Sequence, residues 1–155
     1  MFKFKGFAGR SLRTLQARLL KHMSDQVILA LTSCPDEASA RSMATALVQE
    51  RLAKCVSRIG GMRSTYLWSK AAEALSTTPS KGVTFAGDFW DARLQDEAEI
   101  LLIIKTTAGR LDELRTRLSA LHPYELPELL AIDVAGGNER YLDWVRTGVQ
   151  RKGEE

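Results

Sequence analysis

Cysteine, histidine and proline are all scarce in this chain of 155 residues, which holds two, two and four of them. Two cysteines, Cys34 and Cys55, cannot make a disulfide framework, so the expected setting is a reduced, cytosol-like compartment. With His22 close to the amino terminus, His122 is left as the one imidazole able to join a metal site in the body of the chain. No HExxH, CxxC or paired-histidine spacing occurs, which argues against a closed structural zinc centre. No apolar stretch approaches the length of a membrane span, so no integral membrane segment is expected. There is no G-x-S-x-G, no phosphate-cradling glycine loop, and no nucleophile paired with a base at recognisable spacing. Catalysis is therefore not expected.

The net charge of +3 hides two regions of opposite sign. Residues 1–24 carry Lys3, Lys5, Arg10, Arg13, Arg18 and Lys21 and no acid. The remainder has 16 basic against 19 acidic residues, a net of −3. Lacking a basic stripe interleaved with aromatics, this body gives no reason to expect nucleic-acid binding. Leu12, Leu15 and Leu19 give the basic leader helical spacing, like that of an organelle presequence. The leader thus offers a mitochondrial or plastid address as the alternative to the cytoplasm; it can equally be a non-native extension.

The chemistry concentrates in His122-Pro123-Tyr124-Glu125-Leu126-Pro127-Glu128. Two prolines four residues apart exclude a helix interior or a central strand, and each biases the residue before it towards extended backbone. The segment reads as a rigid connector, either a stiff turn whose polar groups only hydrogen-bond or a working site.

Around it the chain alternates between two periodicities. Val27–Thr32 is a short apolar run, expected as a buried strand. Pro35, Asp36 and Glu37 open a helix, with Pro35 suited to its first position. Its apolar face is Ala40, Ala44, Leu47, Val48 and Leu52, and its end is expected near Lys54. Residues 55–68 read as a second strand broken by a bulge at Gly60-Gly61, after which Ser64, Tyr66 and Trp68 share one side. Residues 69–90, small and polar, read as a long loop. Ile100–Ile104 is a third strand, and Leu111, Leu114, Leu118 and Leu121 stripe a second helix. After the connector, Leu130, Ile132 and Val134 alternate as a fourth strand, and Gly136-Gly137 leads to a last helix.

Strand, helix, strand, strand, helix, strand is the order of a ferredoxin-like α+β sandwich, βαββαβ, here with a C-terminal helix. Its strand order 4-1-3-2 centres the first and third strands. Those two carry unbroken apolar runs, although two helices cover only one sheet face. Self-association through the other face follows as the expectation.

Several motifs together resemble the CutA family of divalent-cation tolerance proteins, over 25–150. They are Ser33-Cys34-Pro35-Asp36, Arg51 to Val56, Ser64-x-Tyr66-x-Trp68, Lys105-Thr106-Thr107, the connector, and Tyr141-x-x-Trp144. The resemblance implies a homotrimer linked to metal tolerance, with divalent metal ions as partners and copper bound by bacterial members. No reaction is established for that family. Its spacing from tryptophan to glutamate is met by Trp90 and Glu99, which implies a hairpin insertion of roughly 22 residues at about 69–90.

Copper-binding relatives carry a cysteine at the position of Thr32 and a second histidine at that of Leu121. His122, with Cys34 substituting two residues along, is the expected weak copper site, since copper favours imidazole and thiolate. Cys55 is expected to be a small buried hydrophobe. Tyr66, Trp68, Lys105, Tyr124, Glu125 and Glu128 are candidates for a cleft between subunits; the structural alternative is interface contacts or, for Lys105, a snorkelling lysine. A second reading of the same architecture is a PII-like regulatory trimer holding a small ligand or partner protein in such clefts.

Overall fold

The computed structural model describes residues 23–68 and 92–150, together with residue 16. Most of the basic leader and the stretch expected as an inserted loop lie outside these described residues. Four strands, β1 (Val27–Cys34), β2 (Cys55–Trp68), β3 (Arg93–Thr107) and β4 (Leu130–Asp133), form one antiparallel sheet in the order β2-β3-β1-β4. That is the expected 4-1-3-2 arrangement. Among the described residues the helices that accompany it are α1 (Glu37–Gln49), α2 (Leu111–Leu121) and α3 (Glu139–Gly148).

Alternation along the strands sorts side chains between two faces. Ala30, Cys34, Leu102 and Ile104 point to the side where Met43 and Leu47 of α1 meet Leu114 and Leu118 of α2. Burying each such leucine or isoleucine contributes about 1.5–3 kcal/mol. The buried Thr106 hydroxyl is satisfied by donating to the Leu52 carbonyl at 2.7 Å. On the other face α3 covers only one end, packing Leu142 and Val145 against Val27 and Val134. Its remaining aromatics, Tyr141 and Trp144, stay exposed.

Pro35 precedes α1 instead of starting it. Asp36 is the N-cap, its carboxylate accepting the Ser39 N–H at 2.8 Å. The helix also ends five residues before Lys54, the expected end, because Arg51 adopts φ +57°. The Leu52 N–H then reaches the Leu47 carbonyl at 2.9 Å and the Arg51 N–H the Val48 carbonyl at 3.1 Å. This is a Schellman cap built on arginine where glycine is usual. β1 runs on to Cys34, and β3 starts at Arg93, well before the apolar run that announces it.

Candidate functional site

His122 caps α2 with extended backbone (φ −75°, ψ 137°), as a residue before proline prefers. Its ring turns inward to the end of β1. Nε2 donates to the Ser33 carbonyl at 2.7 Å, and Nδ1 accepts the Tyr124 N–H at 3.1 Å. The two partners together fix a neutral imidazole protonated on Nε2. Burial holds its pKa below the usual 6.5, against a smaller opposing effect of the Ser33 bond and the Glu99 charge. The Cys34 Sγ lies 4.0 Å from Nε2. That thiol is fully buried and pushed up to about 11, first by burial and then by the charges of Asp36 and Glu99.

The fold therefore brings His122 and Cys34 into one place. Both imidazole nitrogens are nevertheless engaged, and burial favours the protonated thiol over the thiolate that copper prefers. As placed, the pair does not fit a copper ion without local rearrangement. Among the described residues, no group of three or more His, Cys, Asp or Glu side chains could hold a metal ion.

A second cluster forms around Glu99. At the bulge, Gly60 and Gly61 of β2 oppose one residue of β3, so the register passes from Ile59↔Leu101 to Met62↔Glu99. Gly61 sits at φ +80°, backbone that side chains rarely tolerate. The extra residue transfers Ser64, Tyr66 and Trp68 to the sheet face that carries Glu99. There Glu99, only 7% exposed, accepts from three hydroxyls. Ser33 donates to Oε1 at 2.9 Å, Tyr124 to Oε1 at 3.2 Å, and Ser64 to Oε2. Burial and then the neighbouring Glu99 charge raise the Tyr124 phenol to about 12. Burial and the charges of Glu97 and Glu99 also raise Tyr66.

Above Glu99 opens a cavity of about 800 Å³ whose lining includes Tyr66, Trp68, Tyr124, Glu125 and Glu128. Five of the six residues expected at a cleft thus share one cavity. Lys105 does not line it; it lies along the same sheet face, donating to Ser57. Cys55 is only partly buried, at the start of β2, contrary to the expectation of a buried hydrophobe. Glu99, Ser33 and Ser64 were not among the expected site residues. Two signals pointed to Glu99: the family spacing from Trp90, and a carboxylate directly preceding the apolar run Ile100–Ile104.

An α+β fold whose described residues form an antiparallel four-stranded sheet with three helices of ten or more residues, carrying a polar cavity at the junction of β1, β2, β3 and the connector, defines the class. The chain belongs to the CutA1 divalent ion tolerance protein family, whose profile matches residues 28–77 and 88–148. It is 36% identical over 118 residues to the divalent-cation tolerance protein CutA of Thermus thermophilus, covering 76% of this chain and 93% of that one. A rice relative, named as a chloroplastic CutA protein, is 30% identical over 147 residues, covering 93% of this chain and 71% of its own. The crystal structure of CutA from Xylella fastidiosa superposes with a TM-score of 0.65 at 37% identity, covering 81% of this chain and 99% of that chain.

Proposed function

We propose that this chain is the subunit of a non-enzymatic homotrimer that serves divalent-cation tolerance, assembles through its open sheet face and binds copper weakly. The observation that carries this reading is the composition of that face. Register places Leu29 beside Ile132, and Leu31 between Leu130 and Ile103, with Leu101 next along. α3 covers only the end at Val27. In the single chain Leu130 and Ile132 are about half exposed. A contiguous apolar surface of this kind is a site of association, and closed rotational symmetry is the usual outcome.

Weak copper binding follows from the state of the proposed ligands. Removing a proton from a thiol near 11 at neutral pH costs roughly 5 kcal/mol. Freeing a nitrogen of His122 costs about one hydrogen bond more. A nucleotide in the cavity, the natural ligand for a PII-like regulator, is disfavoured because no Lys or Arg is among its described lining residues. The names of the relatives suggest the setting, tolerance in bacteria and a plastid in plants.

Size exclusion with light scattering should give three chains per particle for the wild type and a smaller species for Leu31→Glu. Calorimetric titration should show weak copper binding that His122→Ala or Cys34→Ser weakens further. A wild-type monomer at micromolar concentration would refute the assembly. Copper binding that neither substitution affects would refute the ligands.

A further inference from the structure

We infer that the partner subunit's Lys105 completes the Glu99 cluster, reaching across the assembly face to pair with its carboxylate. The inference rests on the trimer proposed above and adds one named contact between copies of this chain. It starts from two charges on one sheet face, neither of which meets its opposite within the chain. Glu99 is nine-tenths buried, yet its three hydrogen-bond donors, Ser33, Ser64 and Tyr124, are all neutral hydroxyls. A buried carboxylate is ordinarily paired with a cation. It has about four acceptor positions, of which the hydroxyls occupy three. No Lys or Arg is among the described residues lining the cavity beside it. Lys105, half-buried, donates to another neutral hydroxyl, that of Ser57, and forms no ion pair among the described residues.

Alternation places Glu99, Leu101, Ile103 and Lys105 of β3 on the open face. Six residues of extended strand separate the two charges, roughly 20 Å at about 3.3 Å per residue, so they cannot meet within one chain. A closed ring of three is built from heterologous contacts, in which one region of each copy meets a different region of the next. Such a contact can set one end of β3 against the other end of its neighbour's. Covering Leu101 and Ile103 also takes Lys105 out of water, and an ammonium buried without a carboxylate is strongly destabilising. Glu97 lies on the same face two residues further out, but it is exposed and solvated. Glu99 is the buried carboxylate there. The pairing also accounts for Lys105 as the one cleft candidate that does not line the cavity of its own chain.

The test is a double-mutant cycle of Glu99→Gln and Lys105→Met in the full chain, read as the dissociation constant of the trimer by sedimentation over a dilution series. Positions this far apart in one chain contribute additively, so coupling between them reports contact between copies. Each single substitution should loosen the trimer at least about tenfold, and the double variant should be no looser than the worse single one. Lys105→Arg should keep the trimer and Lys105→Glu, which sets two carboxylates together, should dissociate it. That contrast decides the matter if the Glu99→Gln variant fails to fold. Additive effects, or a Lys105→Glu variant that trimerises like the wild type, overturn the pairing and leave the trimer standing. A wild-type monomer overturns both.

Discussion

Ser33→Ala removes one of the three donors to Glu99 while leaving the backbone carbonyl that holds His122. A hydrogen bond to a charged group contributes about 1.5–3 kcal/mol to stability, against about 1 kcal/mol for a neutral pair. Water can offset the loss only where it reaches the carboxylate. Glu99 is 7% and Ser33 6% exposed, so that replacement is poor and the cost should be roughly 2 kcal/mol. Urea unfolding at fixed protein concentration measures it, because any self-association makes the midpoint concentration-dependent. The m-value should not change. In a Glu99→Gln background the same substitution should cost at least about 1 kcal/mol less, since the charge is gone. A loss below about 0.5 kcal/mol, or an equal loss in both backgrounds, would refute the view that a buried, hydroxyl-held carboxylate organises this end of the sheet.

Arg51→Gly should stabilise the protein by about 1 kcal/mol, since an L side chain at φ +57° is strained at a position where glycine is at ease; chemical denaturation showing no gain would contradict it. His122 has a folded pKa below its unfolded 6.5, so the unfolded state binds more protons and stability falls as pH drops below about 6.5. Between about pH 7.5 and pH 5.5, the wild type should lose more stability than His122→Asn, whatever the variant's absolute stability; parallel losses would count against a neutral buried imidazole.

Much of this architecture is legible without coordinates, for reasons particular residues make plain. Val27–Thr32 and Ile100–Ile104 are apolar at every position but the last of the first run, which marks strands between layers. Leu111, Leu114 and Leu118 repeat at helical spacing. Gly60-Gly61 announces the bulge. What escapes a linear reading is what tertiary pairing imposes. Arg93–Glu99, sequence RLQDEAE, has no apolar alternation, and becomes strand by pairing with residues 62–68 of β2. The apolar pattern of α1 continues to Leu52, but the backbone turns left-handed at Arg51 and docks Leu52 and Ala53 from outside the helix. The surroundings of Glu99 escape most completely: spacing from Trp90 marks the residue, but its donors come from β1, β2 and the connector, which meet only in the folded chain.

The connector's polar density also acquires a physical reason. The Ser33 carbonyl accepts from His122, whose other nitrogen accepts the Tyr124 N–H; the Tyr124 hydroxyl donates to Glu99, to which the Ser33 hydroxyl donates in turn. These bonds close a ring through β1, the connector and β3. Pro123 fixes the backbone between His122 and Tyr124, which limits the ways the two side chains can be presented. A metal ion that took a nitrogen of His122 would open this ring at Ser33 or at Tyr124. Either break loosens the hold on Glu99 and thereby the floor of the cavity. The ring therefore opposes metal capture at His122, because either nitrogen is released only by breaking one of its bonds. The imidazole thus ties the connector to β1 through both of its nitrogens, which is why its polar neighbours are held in one arrangement.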